Sequence, residues 1–139
     1  MHLASWPTGA LMVSKRAINA SDAPDPVGGY AQAFEVSGLS RILHISGQIP
    51  VALDGTVPTG FTAQCRLVWA NIEAQLRAAG MTLDDVIKIT TYLSDRRYGD
   101  ENRVVRRAVL AERTPASTVI TTGIYDEAWL LEMEAVAAA

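Results

Sequence analysis

The segment that decides the fold is Thr114–Ala137, T-P-A-S-T-V-I-T-T-G-I-Y-D-E-A-W-L-L-E-M-E-A-V-A. It reads as two β-strands joined by a polar turn into a closing hairpin. The first, about Ser117–Tyr125, is rich in Thr, Val and Ile, which suit a pleated surface. The second, Trp129–Ala137, is apolar except for Glu132 and Glu134. Side chains alternate along a strand, so these two carboxylates share a face, about 7 Å apart. Two readings stay open for them: a solvated face on a terminal strand, or a site in which one carboxylate handles protons on a bound water.

Working back from that segment, Pro115 closes a helix expected over Glu101–Glu112, with Asp100 as its cap. The apolar stripe of this helix is Val104, Val105, Ala108 and Val109, with Arg103, Arg106 and Arg107 on or beside the polar face. Before it, Val86–Leu93 is a β-branched strand with Lys88, Thr90 and Tyr92 on one face. Thr62–Ala79 carries the clearest helical period. Phe61, Cys65, Val68, Trp69, Ile72, Leu76 and Ala79 recur at spacings of three and four, and Gly80 follows the end.

Further upstream, Tyr30–Val36 and Arg41–Ser46 are strands around a Ser37–Ser40 hairpin turn, and Ser46-Gly47-Gln48-Ile49-Pro50 bends away. Asp22–Pro26 has too much proline for a helix or an interior strand, and Gly28-Gly29 permits a tight approach of the backbone. An edge strand falls within Ala10–Asn19, and residues 1–13 form an N-terminal arm that packs through Trp6. The order is β-β-β-α-β-α-β-β. It predicts an α+β sandwich with one mixed sheet and both helices on one face. The other sheet face needs a cover, and a second copy of the chain is the simplest one.

The 139 residues fit one domain, and 49% hydrophobic against 19% charged residues fits a globular subunit with a surface apolar enough to oligomerise. The net charge of −3 gives no general reason to bind nucleic acid or an anionic membrane. Six of the twelve Lys and Arg residues, all Arg, nevertheless fall between Arg96 and Arg113. No run approaches the roughly 20 apolar residues of a membrane span, and the start lacks the pattern of a signal peptide. A cytoplasmic protein is expected. The lone Cys65 lies on an apolar helix face, which favours packing over nucleophilic chemistry. Only His2 and His44 accompany it, so no metal-ligand spacing exists.

The ordered set Gly29-Tyr30-Ala31-Gln32, Ser46-Gly47-Gln48-Ile49-Pro50, Ala78-Ala79-Gly80, Lys88-Ile89-Thr90-Thr91-Tyr92-Leu93, Asn102, Thr114-Pro115-Ala116-Ser117 and Leu131–Val136 resembles the Rid family, also called YjgF-like or UK114-like. The resemblance runs over about Ser14–Val136. It implies a chorismate-mutase-like fold and a homotrimer whose sheets form a central barrel, with a small-molecule cleft between subunits. It also implies hydrolysis of a reactive imine or enamine to a keto acid and ammonia, without a cofactor. By position, Tyr30, Gly47, Asn102, Ser117 and Val119 are the implied substrate-binding residues, and Glu132 the implied catalytic carboxylate. One departure stands out. The family's deaminases carry arginine directly after the P-A pair, where it grips a substrate carboxylate; here that residue is Ser117. Arg103, Arg106 and Arg113 are the candidates to replace it. The other readings are a substrate lacking that carboxylate, a non-catalytic binding or scaffold homologue, and RNA binding or cleavage through the arginine cluster.

Overall fold

A computed structural model describes residues 12–139. Trp6, His2 and most of the expected N-terminal arm lie outside the described residues. The elements are β1 (Ser14–Ile18), β2 (Ala33–Ser37), β3 (Ile42–Gln48), α1 (Phe61–Ala78), β4 (Val86–Leu93), α2 (Gly99–Leu110), β5 (Ala116–Thr121) and β6 (Leu131–Ala138). Both helices and the expected order are present.

Strand pairing differs from the sequence expectation in two places. The first concerns β5 and β6, which do not form a hairpin. The main sheet has the order β3-β6-β4-β5, with β4 parallel to β5 and antiparallel to β6. A parallel neighbour requires a crossover, and α2 supplies it between β4 and β5. The chain then passes over β4 before β6 enters the sheet beside it. The second concerns β2, which pairs antiparallel with β1 as a separate two-stranded ladder rather than with β3. This ladder meets the main sheet through one parallel bridge, Ala31 to Ala116, where the Ala31 N–H donates to Pro115 O at 3.3 Å.

The core lies between the sheet and α1. Phe61, Cys65, Val68, Trp69, Ile72 and Leu76 are buried, as their spacing predicts, against Ile89, Leu93, Leu131, Met133 and Ala135. Gln64 is the polar residue in this face, and it is satisfied. Its Nε2 donates to Pro58 O (3.0 Å) and Ala128 O (2.9 Å), and its Oε1 accepts from Leu130 N–H (2.8 Å). That amide fixes the entry of β6. Alternation then sends Leu131, Met133, Ala135 and Ala137 into the core and Glu132, Glu134 and Val136 to the opposite face.

α2 begins two residues earlier than its acidic residues suggest. Tyr98 stands at its N-cap, and no side chain caps it. A short 3-10 turn, Arg96–Tyr98, runs directly into the helix, so Asp95 caps that turn by accepting from Arg97 N–H at 2.8 Å. Asp100 lies inside the first helical turn, 3.7 Å from Arg103. The apolar stripe is also rotated. Asn102, Val105, Arg106 and Leu110 are buried, whereas Val104 is 68% exposed.

Candidate functional site

The residues singled out from the sequence fall into two groups on opposite faces of the sheet. On the helix side, Tyr30, Asn102, Arg103, Arg106, Ser117 and Val119 line a cavity of about 300 Å³. Register explains the strand members. Ser117 and Val119 pair with Ile89 and Thr91, whose side chains are buried beneath the helices. On the other side, Gly47, Tyr92, Glu132 and Glu134 line a cavity of about 340 Å³ together with residues 122–124. Ser117 and Glu132 therefore do not share a cleft within one chain, because β4 lies between them. The expected hairpin would have set them on neighbouring strands; the cleft that the resemblance implies for both lies between subunits.

In the first group, Asn102 is 3% exposed, and its Oδ1 accepts a weak hydrogen bond from Cys65 Sγ at 3.8 Å. Burial pushes the Cys65 thiol up to about 12, which keeps it protonated and unreactive. One helical turn after Asn102, on the same face, comes Arg106. Its guanidinium is 6.0 Å from the centre of the Tyr30 ring, and its Nη2 donates to Gly28 O at 3.0 Å. That carbonyl is presented by a turn that only glycine fits readily. Gly28 has φ +84°, and a Cβ there would stand 2.9 Å from Arg107 Nη2. Burial, with the charges of Arg103 and Arg107, lowers the pKa of Arg106. Neither Arg106 Nε nor Ser117 Oγ has a hydrogen-bond partner among the described residues, although both atoms are buried.

Arg103 also lines this cavity but reaches Asp100. Arg113, the third candidate from the sequence, does not line it. Its Nε donates to Asp84 at 2.7 Å. The sequence reading named Arg106 as a candidate but put it on or beside the polar face of α2, whereas it is buried. The available signal was its i, i+4 spacing from Asn102.

In the second group, β3 carries an irregularity. Ile45 pairs with Ala135 and Gln48 with Met133, so β3 has one extra residue at Ser46-Gly47. Asn71 Nδ2 holds the following bend by donating to Ile49 O (3.0 Å) and Val51 O (3.2 Å). The bulge lays Gly47 against Glu132 so closely that any side chain at residue 47 would overlap the carboxylate. Glu134, two residues on, accepts a 2.6 Å hydrogen bond from Tyr92 Oη. Its carboxylate raises the Tyr92 pKa, through that bond first and partial desolvation second. Glu132 makes no such bond among the described side chains. His44 lies on the same sheet face, exposed, and likewise makes no side-chain hydrogen bond among the described residues.

Among the described residues there is no cluster of three or more metal-ligating side chains, and no helix is long and apolar enough to cross a membrane.

The family model described as Endoribonuclease L-PSP matches residues 20–139. A RutC family protein of Pyrococcus horikoshii is 36% identical over 125 residues, covering 88% of this chain and 97% of its own. A Rid-family protein of Yersinia pestis, YyfB, superposes with a TM-score of 0.80 at 26% identity, covering 90% of this chain and 98% of its own. TdcF of Escherichia coli, solved with bound serine, superposes with a TM-score of 0.69 at 28% identity, covering 89% and 98%. The K12 sequence of TdcF, provisionally named a reactive intermediate deaminase, is 35% identical over 82 residues, 58% of this chain and 61% of its own. Two helices on a mixed sheet, the bulge over Glu132 and near-complete coverage by these relatives lead to one conclusion: the chain belongs to the Rid family and has its chorismate-mutase-like fold.

Proposed function

We propose that this protein hydrolyses a small reactive imine or enamine in a cleft assembled from two copies of the chain. The observation that carries this reading is the division of the site residues. Tyr30, Asn102, Ser117 and Val119 face one side of the sheet, and Gly47 with Glu132 faces the other. The Tyr30 half is lined by no carboxylate, and the Glu132 half by none of Tyr30, Asn102 and Ser117. A ring of copies, with the Glu132 faces turned towards a central barrel, brings the first half of one copy to the second half of its neighbour. A homotrimer is the arrangement that the family resemblance implies.

In this cleft the Glu132 carboxylate accepts a proton from water as the water oxygen attacks the imine carbon. The C=N π electrons move to nitrogen, which takes up a proton, so a carbinolamine forms. The carbinolamine then collapses: its hydroxyl proton passes to nitrogen by way of Glu132, the C–N bond breaks, C=O forms and ammonia leaves. An enamine enters the same route after protonation on carbon. Backbone donors at Gly47 and polar groups from the Tyr30 half orient the substrate and stabilise developing charge. Each of these steps is proton transfer, nucleophilic addition or elimination, chemistry that calls for no cofactor. TdcF, whose provisional name denotes the same reaction class, supports the reading.

The test is subunit complementation with 2-iminobutanoate generated in the assay. Glu132→Gln and Asn102→Ala are each expected to lose most activity. Unfolded together and refolded at equal ratio, they should regain roughly a quarter of the wild-type sites, because each intact half comes from a different copy. Full activity in Glu132→Gln, or no recovery on mixing, would refute the shared-cleft mechanism.

A further inference from the structure

Arg106 is an anomaly in the helix-side cavity. It is only 7% exposed, and the charged groups that face it are Arg103 and Arg107, with the Tyr30 ring alongside. The carboxylates of α2 are Asp100, which Arg103 engages, and Glu101, which accepts a hydrogen bond from Thr62 Oγ1. A buried cation without a counter-charge is costly, and removal of its hydration is compensated only by an anion or by a full set of hydrogen-bond acceptors. Among the described residues, Arg106 has one acceptor, Gly28 O, for five N–H donors. Its Nε–H is buried and without a partner among those residues, and so is the hydroxyl of Ser117 lining the same cavity. Two orphaned donors in one pocket, one of them charged, define the ligand group they lack.

We infer that Arg106, assisted by the Ser117 hydroxyl, anchors a carboxylate of the ligand, so that α2 supplies the grip that an arginine at residue 117 would otherwise give. The inference rests on the proposed function for the location of the ligand but not for its turnover. Planar guanidinium matches planar carboxylate in a two-bond fork. With Nη2 tied to Gly28 O, the fork is held in place before the ligand arrives, which limits the entropy lost on binding. Serine is shorter than arginine, so the strand side of the pocket gains room for the substituent on the carbon bearing the carboxylate. The substrate class is accordingly a 2-imino or 2-enamino acid, and its side chain can be bulkier than where an arginine fills that space. Arg103 is half-exposed and engaged with Asp100, and Arg113 is paired with Asp84 elsewhere, so neither provides the anchor.

The test measures binding of pyruvate and 2-oxobutanoate by calorimetry, with the methyl ester of each as the uncharged control. The wild-type chain is expected to bind the acids and not the esters. Arg106→Gln should weaken binding at least about tenfold, as loss of a charge-assisted bond does, and Ser117→Ala by about threefold to tenfold. Arg106→Lys, which keeps the charge but loses the fork, should fall between wild type and Arg106→Gln. Arg113→Gln should leave affinity unchanged, and Ser117→Arg added to Arg106→Gln should restore it. If Arg106→Gln fails to fold, a crystal of the wild-type protein soaked in 2-oxobutanoate decides the matter: the carboxylate lies on the Arg106 fork or it does not. Binding unaffected by Arg106→Gln, or a soaked carboxylate seated elsewhere, overturns the anchor. Hydrolysis of imino acids with an unchanged KM in Arg106→Gln would overturn it while leaving the proposed function standing. Carboxylate binding without turnover of any imine would do the reverse.

Discussion

The Glu132 carboxylate lies directly against the α-carbon of Gly47, with no room for even a methyl group between them. The contact is created by the extra residue of β3 at Ser46-Gly47, held from behind by Asn71. Gly47→Ala is therefore expected to displace the carboxylate rather than the strand. The cost in stability should be about 1–3 kcal/mol, as for other over-packed sites. The cost in kcat/KM for imine hydrolysis should be about a hundredfold, since a shift of about 1 Å suffices for that. Thermal melting and steady-state kinetics on the same preparation check both. A variant as active as wild type would show that the position of Glu132 is unimportant.

Cys65 gives a prediction about pH. Its thiol is held at about 12 in the folded chain against an ordinary value of 9.0. Between these values the folded state holds the proton and the unfolded state releases it, so stability falls as pH rises. The contribution should decline by about 1.4 kcal/mol per pH unit from about pH 9 towards pH 12. Cys65→Ala should lose some stability at pH 7 through the cavity it leaves, but its stability should fall less steeply in alkali than that of wild type. Denaturant melts at pH 8.5 and 10 measure the difference. Thiol reagents at pH 8 should label the protein only after unfolding.

Asp85 gives the opposite sign. Partial burial works against its ionisation, but Thr82 N–H and the Lys15 ammonium, 3.0 Å away, hold its carboxyl below the usual 3.8. Its contribution is present above pH 3.8 and is lost as pH falls through the lower folded value. Asp85→Asn should cost about 1 kcal/mol at pH 7, as loss of a capping carboxylate does. It should also make the acid limb of the stability curve shallower. Equal slopes in the two proteins would remove this ion pair from the account of acid unfolding.

The sheet face bearing Glu132 also makes a prediction about assembly. Val136 lies on that face between His44 on β3 and Lys88 on β4. Val136→Lys adds a cation to the surface that a neighbouring copy would cover. If the proposed trimer forms through this face, sedimentation should show the variant as smaller species than wild type at equal concentration, with hydrolysis lost in parallel. Leu53→Lys, in a fully exposed loop position, should change neither. An assembled, active Val136→Lys protein would place the subunit contact on another surface.

How far the sequence disclosed these arrangements depends on which interaction dominates locally. α1 was legible almost to its ends because one side packs on the sheet and its six large residues repeat at the helical period. β4 was legible because β-branched residues alternate with polar ones along it. The pairing of β5 and β6 was not, since proximity in sequence favours a hairpin and nothing local announces that β4 will occupy the space between them. α2 was misjudged through polarity. Arginine has a long apolar stem, so Arg106 can enter a buried face that a simple split into apolar and polar residues assigns to Val104. The candidate site was legible as a set of residues, by resemblance, but not as a geometry. Which residues face which side of the sheet follows from strand register, and register is a long-range property.

The position of β4 has one more consequence. A molecule small enough to occupy either cavity cannot touch Ser117 and Glu132 of the same chain, because a strand backbone and the core beneath it stand in the way. In the proposed ring each chain would be donor to one neighbour and acceptor from another, and damage to one face would leave the other serviceable. In a mixed population, a chain defective on both faces would disable two clefts of every ring it joined, whereas a chain defective on one face would disable a single cleft. The heritable effect of a substitution would then be set by the face it falls on as much as by its chemistry.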